Sequence, residues 1–186
     1  NLQTAIASLN HRGPDHSGLH RESGLVIGNN RLAIVDLNAG NQPIFNENQS
    51  LVIVYNGEIY NYLEIREELK SKGHVFRSRS DTETVLHAFE EYGPDCVKRF
   101  NGMFTFAIWN SREKKLFLAR DRLGIKPLYI AFLDSGFAFS SEAKTILPLL
   151  PNGPRPDWSG LSQFFSHGYI PSPASPFAGI QKFSPS

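Results

Sequence analysis

The chain reads LVIVYNGE at residues 51–58, and this stretch predicts a strand. Its first five residues form an apolar run rich in β-branched side chains, which strands favour. The run meets Asn56-Gly57, a dipeptide that tolerates positive φ angles and favours tight turns. We therefore predict that the strand ends at Asn56-Gly57 and that the chain turns there.

Further strands are predicted on both sides of this stretch. Before it, short apolar runs at residues 25–27 and 32–35 predict two buried strands separated by residues 28–30. After it, residues 103–120 and 127–140 each contain two apolar runs around a polar turn. That pattern is typical of a β-hairpin, so we predict two antiparallel pairs in the second half of the chain.

Two helices are predicted between the first strand and the hairpins. In each, a polar residue is followed three positions later by Glu, which predicts helices that begin at Asn61 and at Ser80. The first helix is expected to end at Gly73. Antiparallel strand pairs with helices between them predict an α+β layered domain.

The composition argues against several classes of protein. The 186 residues carry 19 Lys and Arg against 18 Asp and Glu, and a net charge of +1 gives no reason to expect a nucleic-acid or membrane partner. No apolar run approaches the roughly 18 residues of a membrane-spanning helix. The single cysteine, Cys96, excludes an intrachain disulfide and a multi-cysteine metal site.

The ends of the chain and one internal segment bear on domain organisation. A change to Pro, Asn and Gly between Leu150 and Pro156 predicts a domain boundary. The chain starts without Met and shows no secretory signal. Its first residues already have the apolar spacing of an amphipathic helix, as if the sequence began inside that helix. We therefore expect a piece of a longer protein, incomplete at both ends.

Three charged residues at predicted element ends could together hold an α-amino acid. Arg31 lies at the start of a predicted strand, Glu58 follows a strand and Asp81 opens a helix. An arginine can bind a carboxylate through two hydrogen bonds, and two acids can offset an ammonium group. The alternatives are a surface ion pair for Arg31 and a helix-capping acid for Asp81.

Other residues also have a catalytic and a structural interpretation. Asn56 and the N–H of Gly57 could supply the two donors of an oxyanion hole, or could form an ordinary turn. His11 could be a general base or a structural loop residue. Cys96 could have a lowered pKa at a helix start or be a passive thiol. For His11 and Cys96 we favour the structural interpretation.

Seven motifs give the chain its resemblance to a known family. They are HRGPDHSG (11–18), RLAIVD (31–36), YNGEIYN (55–61), SDTE (80–83), NGMF (101–104), ARDRLGIKPLY (119–129) and SSE (140–142). In this order they resemble the glutaminase domains of glutamine-dependent asparagine synthetases, which are class II (N-terminal-nucleophile) glutamine amidotransferases. The resemblance implies an N-terminal-nucleophile hydrolase-type fold: an αββα sandwich of two antiparallel sheets between helical layers.

The resemblance also implies a mechanism and a glutamine pocket. In that family a cysteine at the mature N-terminus attacks the side-chain amide of glutamine, and water later releases glutamate from a thioester. Asn56 and Gly57 match the oxyanion-binding positions, Arg31 the carboxylate-binding position, and Glu58 and Asp81 the ammonium-binding positions. The implied pocket comprises Arg31, Leu32, Ala33, Ile34, Val35, Asn56, Gly57, Glu58 and Asp81.

The family nucleophile has no counterpart in these residues. It is expected upstream of Asn1, and Cys96 cannot replace it because it is internal and lacks a free α-amine. Residues 1–186 alone are therefore expected to be inactive. Residues 1–150 are expected to form the amidotransferase domain, without a cofactor or metal, and residues 151–186 a linker and the truncated start of a synthetase domain.

The resemblance implies a cytoplasmic enzyme of amino-acid biosynthesis that supplies ammonia from glutamine for ATP-dependent conversion of aspartate to asparagine. ATP and Mg²⁺ would bind the synthetase domain, and the expected partners are glutamine, that domain and a second copy in a homodimer. Two alternatives stay open. The ammonia acceptor could be a different molecule, or the domain could have lost its nucleophile and keep a structural role, as in β-lactam synthetase-like proteins.

Overall fold

The computed structural model describes residues 2–32, 40–134 and 136–185 of the chain. Its helices are α1 (Leu2–Ala7), α2 (Tyr62–Ser71), α3 (Asp81–Tyr92), α4 (Ala143–Ile146) and α5 (Trp158–His167), with 3-10 turns at Gly93–Arg99 and Leu147–Leu149. Its strands are β1 (His16–Glu22), β2 (Leu25–Arg31), β3 (Ile44–Phe45), β4 (Leu51–Ile59), β5 (Gly102–Asn110), β6 (Lys115–Arg120), β7 (Tyr129–Leu133), β8 (Gly136–Ser140) and β9 (Gln181–Lys182).

Within the described ranges the strands form three antiparallel sheets. The largest has the order β3-β4-β5-β6, β1 pairs with β2, and the third has the order β8-β7-β9. The hairpins predicted at residues 103–120 and 127–140 are confirmed as β5-β6 and β7-β8. None of the described helices is long and apolar enough to cross a membrane.

The two faces of β4 belong to two different apolar layers. Ile53 points into a core formed with α2 and α3. The next side chain, Val54, lies on the opposite face of β4 and packs with Ile27 of β2 and Phe139 of β8. This alternation follows from the two-residue period of a strand, and it stacks the large sheet on the strands of the two smaller ones.

Helices cover both outer sides of this stack. The face that β4 presents through Ile53 is covered by α2 and α3, through buried residues such as Leu69 and Leu86. On the other side, α4 packs Ile146 against Ala131 and Ala138 of the β7-β8 pair, and α1 contacts α4. The predicted αββα sandwich is therefore confirmed.

The prediction that the first strand ends at Asn56-Gly57 is wrong. β4 continues to Ile59, and its register with β5 runs unbroken from Leu51 opposite Asn110 to Ile59 opposite Gly102. Gly57 has no positive φ angle. A Cβ placed there would lie 2.4 Å from the carbonyl oxygen of Met103, so glycine serves the close approach of β5.

The predicted break at residues 28–30 is also wrong. β2 runs without interruption from Leu25 to Arg31 and pairs along its whole length with β1. Leu32 follows the strand and is exposed, so it does not begin a second buried strand. The remaining residues of that predicted strand, Ala33, Ile34 and Val35, lie outside the described residues.

The two predicted helix starts are correct in position but differ in chemistry. Ser80 caps α3, and its side chain accepts a hydrogen bond from the backbone N–H of Glu83. Asn61 precedes α2 but makes no cap; its side chain bonds to Arg99 and Asn101 instead. It therefore ties the start of α2 to the segment that leads into β5.

Asp121 organises the turn that follows β6. Its carboxylate accepts hydrogen bonds from the backbone N–H groups of Phe104, Leu123, Ile125 and Lys126, at 2.9 to 3.3 Å. Burial opposes ionisation, but these four donors outweigh it and hold the pKa of the carboxyl below its ordinary value. Pairing of β5 with β6 begins at Thr105. The charged carboxylate of Asp121 therefore takes the place of a strand partner for Phe104 on the β6 side.

We predict that Asp121→Asn lowers the free energy of unfolding by about 2–3 kcal/mol at neutral pH, because the amide turns an NH₂ towards N–H donors. The native pKa is lowered, so this stabilisation is present above the ordinary aspartate pKa of about 4 and is lost as pH falls through the native value. Urea unfolding at several pH values measures it.

The matched control is Asp95→Asn, because the Asp95 side chain is 74% exposed and pairs with Lys98 at the surface. Its stability should stay close to that of the parent protein at every pH. If the difference between the Asp121→Asn variant and its parent did not shrink in acid, the stabilisation would not come from the ionised carboxylate.

Candidate functional site

A cavity of about 660 Å³ opens where β2, β4 and the start of α3 meet. This volume lies in the range of small-molecule sites. Every described residue of the predicted pocket lines it: Arg31, Leu32, Asn56, Gly57, Glu58 and Asp81. The pocket residues Ala33, Ile34 and Val35 fall outside the described residues. The structure thus brings together side chains that are 50 residues apart in sequence.

One edge of β4 faces this cavity because β3 is too short to cover it. β3 pairs only with Val52 and Ile53. Beyond them the backbone of Tyr55 is bonded by the side chain of Gln42, which accepts from its N–H at 2.6 Å and donates to its carbonyl at 3.0 Å. Four residues further on, the N–H of Ile59 donates to Asp81 at 3.1 Å.

The backbone N–H of Gly57 lies between these two anchored positions. Alternate residues of a strand direct their backbone polar groups to the same edge, so the Gly57 N–H shares the open edge with Tyr55 and Ile59. On the other side, Phe104 opposite Gly57 uses its N–H and carbonyl for Asp121. Gly57 therefore presents a backbone donor towards the cavity.

Asp81 is the first residue of α3, and both of its hydrogen bonds to described residues fall on one oxygen. Oδ2 accepts from the hydroxyl of Tyr55 at 2.6 Å and from the N–H of Ile59. Burial and the adjacent carboxylate raise the pKa of Tyr55, so its phenol keeps the proton that it donates. These two donors orient the carboxylate and leave Oδ1 available to a ligand.

Arg31 and Glu58 place opposite charges around the same space. Arg31 ends β2, is buried, and donates from Nη1 to the side chain of Asn41 at 2.9 Å. Glu58 is exposed at the cavity wall, and Asn56 is partly buried there. One guanidinium, two carboxylates and a backbone donor suit a zwitterionic ligand that carries a polar side chain.

Sequence reasoning missed the residues that hold this site in shape. Gln42 and Tyr55 fix the edge of β4 and the carboxylate of Asp81, and Asn29 adds a hydrogen bond to the carbonyl of Tyr55 at 3.2 Å. Tyr55 belonged to an apolar run and Gln42 to a loop, so neither carried a local signal. Their roles depend on contacts between segments distant in sequence.

The structural interpretations of His11 and Cys96 agree with their surroundings. His11 lies at the cavity wall but is held by Glu142 at 3.0 Å and by the carbonyl of Ser8. Cys96 is completely buried in the 3-10 turn after α3, and burial raises the pKa of its thiol to about 12. A protonated, inaccessible thiol is not a nucleophile.

Comparison with known proteins gives consistent matches. The family described as "Glutamine amidotransferase domain" matches residues 1–186. Asparagine synthetase [glutamine-hydrolyzing] 3 of Bacillus subtilis is 41% identical over 96% of the chain, and asparagine synthetase [glutamine-hydrolyzing] 3 of Arabidopsis thaliana is 46% identical over 74% of it. The chain spans only 30% and 24% of the lengths of these relatives.

Solved structures support the fold. The glutamine phosphoribosylpyrophosphate amidotransferase of B. subtilis, solved with ADP and GMP, superposes with a TM-score of 0.64 at 21% identity. The superposition covers 76% of this chain and 39% of that one. At this identity the likeness concerns the fold, and it agrees with the sandwich described above.

We predict that Tyr55→Phe lowers the free energy of unfolding by about 1.5–3 kcal/mol, because a buried carboxylate loses a hydroxyl donor while the ring stays in place. Urea unfolding followed by circular dichroism measures the change. Tyr60→Phe is the matched control, because Tyr60 is 58% exposed, and it should change stability by less than about 0.5 kcal/mol. Equal effects of the two substitutions would contradict the role given to the Tyr55–Asp81 bond.

Proposed function

The chain belongs to the glutamine amidotransferase domain family, and we propose that its cavity binds glutamine for hydrolysis to glutamate and ammonia. The observation that carries this proposal is the convergence of Arg31, Asp81 and the Gly57 N–H on one cavity. Glutamine carries a carboxylate, an ammonium group and an amide. The cavity wall offers a complementary group for each of them.

The two ends of glutamine would be recognised by opposite charges. The Arg31 guanidinium would bind the α-carboxylate, and Glu58 and Asp81 would bind the α-ammonium group. Tyr55 and Ile59 support the role of Asp81, because their bonds to Oδ2 keep the carboxylate fixed while Oδ1 faces the ligand. Each charged group of glutamine would therefore meet an oppositely charged side chain at the cavity wall.

The reacting amide would lie beside Asn56 and Gly57. Attack by a thiolate on the amide carbon turns its oxygen into an oxyanion, which the Gly57 N–H and the Asn56 side-chain amide would stabilise. The C–N bond then breaks, ammonia leaves with the proton taken from the thiol, and water hydrolyses the thioester. We expect the nucleophile to be an N-terminal cysteine upstream of Asn1, so residues 1–186 alone should be inactive.

For the whole protein we propose glutamine-dependent asparagine synthesis. The asparagine synthetases of B. subtilis and A. thaliana support this acceptor, because they match most of the chain at 41% and 46% identity. Residues 151–186 would lead into a synthetase domain, where ATP and Mg²⁺ would activate aspartate for attack by ammonia. A purely structural role is less well supported, since the cavity keeps every described member of the implied ligand set.

The proposal is tested by treating the full-length protein with diazo-norleucine, an electrophilic analogue of glutamine, and measuring its intact mass. We expect one adduct per chain on the N-terminal cysteine, together with release of glutamate from glutamine in the untreated protein. The absence of an adduct, with a different residue at the mature N-terminus, would overturn glutamine hydrolysis and favour a structural domain.

We predict that Arg31→Ala raises the KM for glutamine at least about tenfold, because loss of a charge-assisted contact costs more than about 1.4 kcal/mol of binding. Synthesis from free ammonia should survive at the other site. The control is Arg21→Ala, since Arg21 is exposed on β1 and does not line the cavity. An equal loss of glutamine-dependent and ammonia-dependent synthesis would show that Arg31 does not bind glutamine.

A further inference from the structure

A second group of polar side chains lies outside the cavity, between three segments of the chain. His87 and Glu90 come from α3, Glu47 from the turn between β3 and β4, and His74 from the loop between α2 and α3. One ligand atom of each of the four lies within 4.8 Å of those of the others. The sequence predicted no metal site here, because these residues form no recognisable motif.

The two imidazoles meet the two carboxylates through their Nδ1 atoms. His87 Nδ1 lies 3.3 Å from Glu90 Oε2 and 3.6 Å from Glu47 Oε2. His74 Nδ1 lies 3.8 Å from the same Glu90 oxygen. Two imidazole nitrogens and two carboxylate oxygens therefore lie close together in one small volume.

The other oxygen of each carboxylate, Oε1, accepts a hydrogen bond from the protein. Glu47 Oε1 accepts from the backbone N–H of Val75 at 3.0 Å, and Glu90 Oε1 accepts from the side-chain amide of Asn46 at 2.8 Å. In both residues Oε2 is the oxygen that points at the imidazoles. Around metal sites in proteins, neighbouring residues commonly orient the ligating carboxylates through hydrogen bonds of this kind.

The Nε2 atoms of the two imidazoles also lie near carboxylates. His74 Nε2 lies 3.3 Å from Glu91, and His87 Nε2 lies 3.8 Å from Glu83. Burial alone would raise the pKa of Glu83, but His87 and the hydrogen bonds from Ser78 and Arg77 lower it to about 2. Both imidazoles therefore have a carboxylate near Nε2 as well as near Nδ1.

His87 is the most buried member of this group. It is 1% exposed, and its Nε2 has no hydrogen-bond partner among the described residues. Glu47 and Glu90 bring two carboxylates to the Nδ1 atoms of the imidazoles, and one divalent cation would balance two carboxylate charges.

We propose that Glu47, His74, His87 and Glu90 bind one zinc-class divalent cation that joins the β3–β4 turn and the α2–α3 loop to α3. Two imidazole nitrogens favour zinc over magnesium or calcium, which prefer oxygen ligands. Tetrahedral ligands at about 2.0–2.1 Å from zinc are about 3.4 Å apart, so the observed contacts require only small side-chain rotations. With four protein ligands the site would be structural and would take no part in hydrolysis.

The test is a titration of the metal-stripped full-length protein with Zn²⁺ against a chromophoric chelator. Glu47→Gln and His74→Gln are the informative variants, since neither residue belongs to the apolar core and their loss should leave that core intact. Each should weaken binding of one Zn²⁺ per chain by at least about tenfold. His20→Gln is the control, because His20 also lies 3.8 Å from a glutamate, Glu22, outside the cluster.

Equal zinc affinity in the parent and both variants, or no bound zinc, would overturn the proposal. A second measurement uses the unaltered protein, so it does not depend on how a variant folds. Replacement of zinc by Co²⁺ should give the intense visible absorption of a four-coordinate ion. The weak absorption of a six-coordinate ion would contradict a site made of these four ligands.

Discussion

The architecture of the cavity depends on one constraint, the edge of β4 beyond Ile53, which none of the described strands pairs. A strand edge inside a protein exposes N–H and carbonyl groups that must find partners. β3 ends too early to provide them, and the side chains of Gln42 and Asp81 bond the backbone at Tyr55 and Ile59. Because they satisfy the positions on either side, Gly57 keeps a directed donor for a ligand.

The same constraint explains why position 57 is glycine. A larger residue would collide with the carbonyl of Met103 and with Phe104, and the strand would have to move away from β5. Such a movement would change the direction of the Gly57 N–H. Tight pairing with β5 on one side of β4 and an open edge on the other therefore belong to one local structure. Asp121, in the turn after β6, completes it by bonding the backbone of Phe104.

The sandwich fold was predicted through the family resemblance, whereas what the residue patterns alone predicted correctly was local. The hairpins and the Ser80 cap depend on residues within a few positions of each other, and all are confirmed. The break in β2 and the end of β4 at Asn56-Gly57 were wrong because pairing with β1 and β5 overrides the turn preference of Gly and Asn. β9 was not predicted at all, since a two-residue strand exists only through its pairing with β7.

The same difference separates the residues of the candidate site that were predicted from those that were missed, and α3 contains both kinds. Asp81 was predicted because a helix start is visible in sequence, whereas Tyr55, Gln42 and the cluster around His87 depend on distant segments. Asp81 and His87 are six positions apart on a rigid element, and Glu83 between them is bonded to the backbone of Arg77 and Ser78. Contacts of Glu83 that fix the first turns of α3 therefore also help to fix the carboxylate at its first residue.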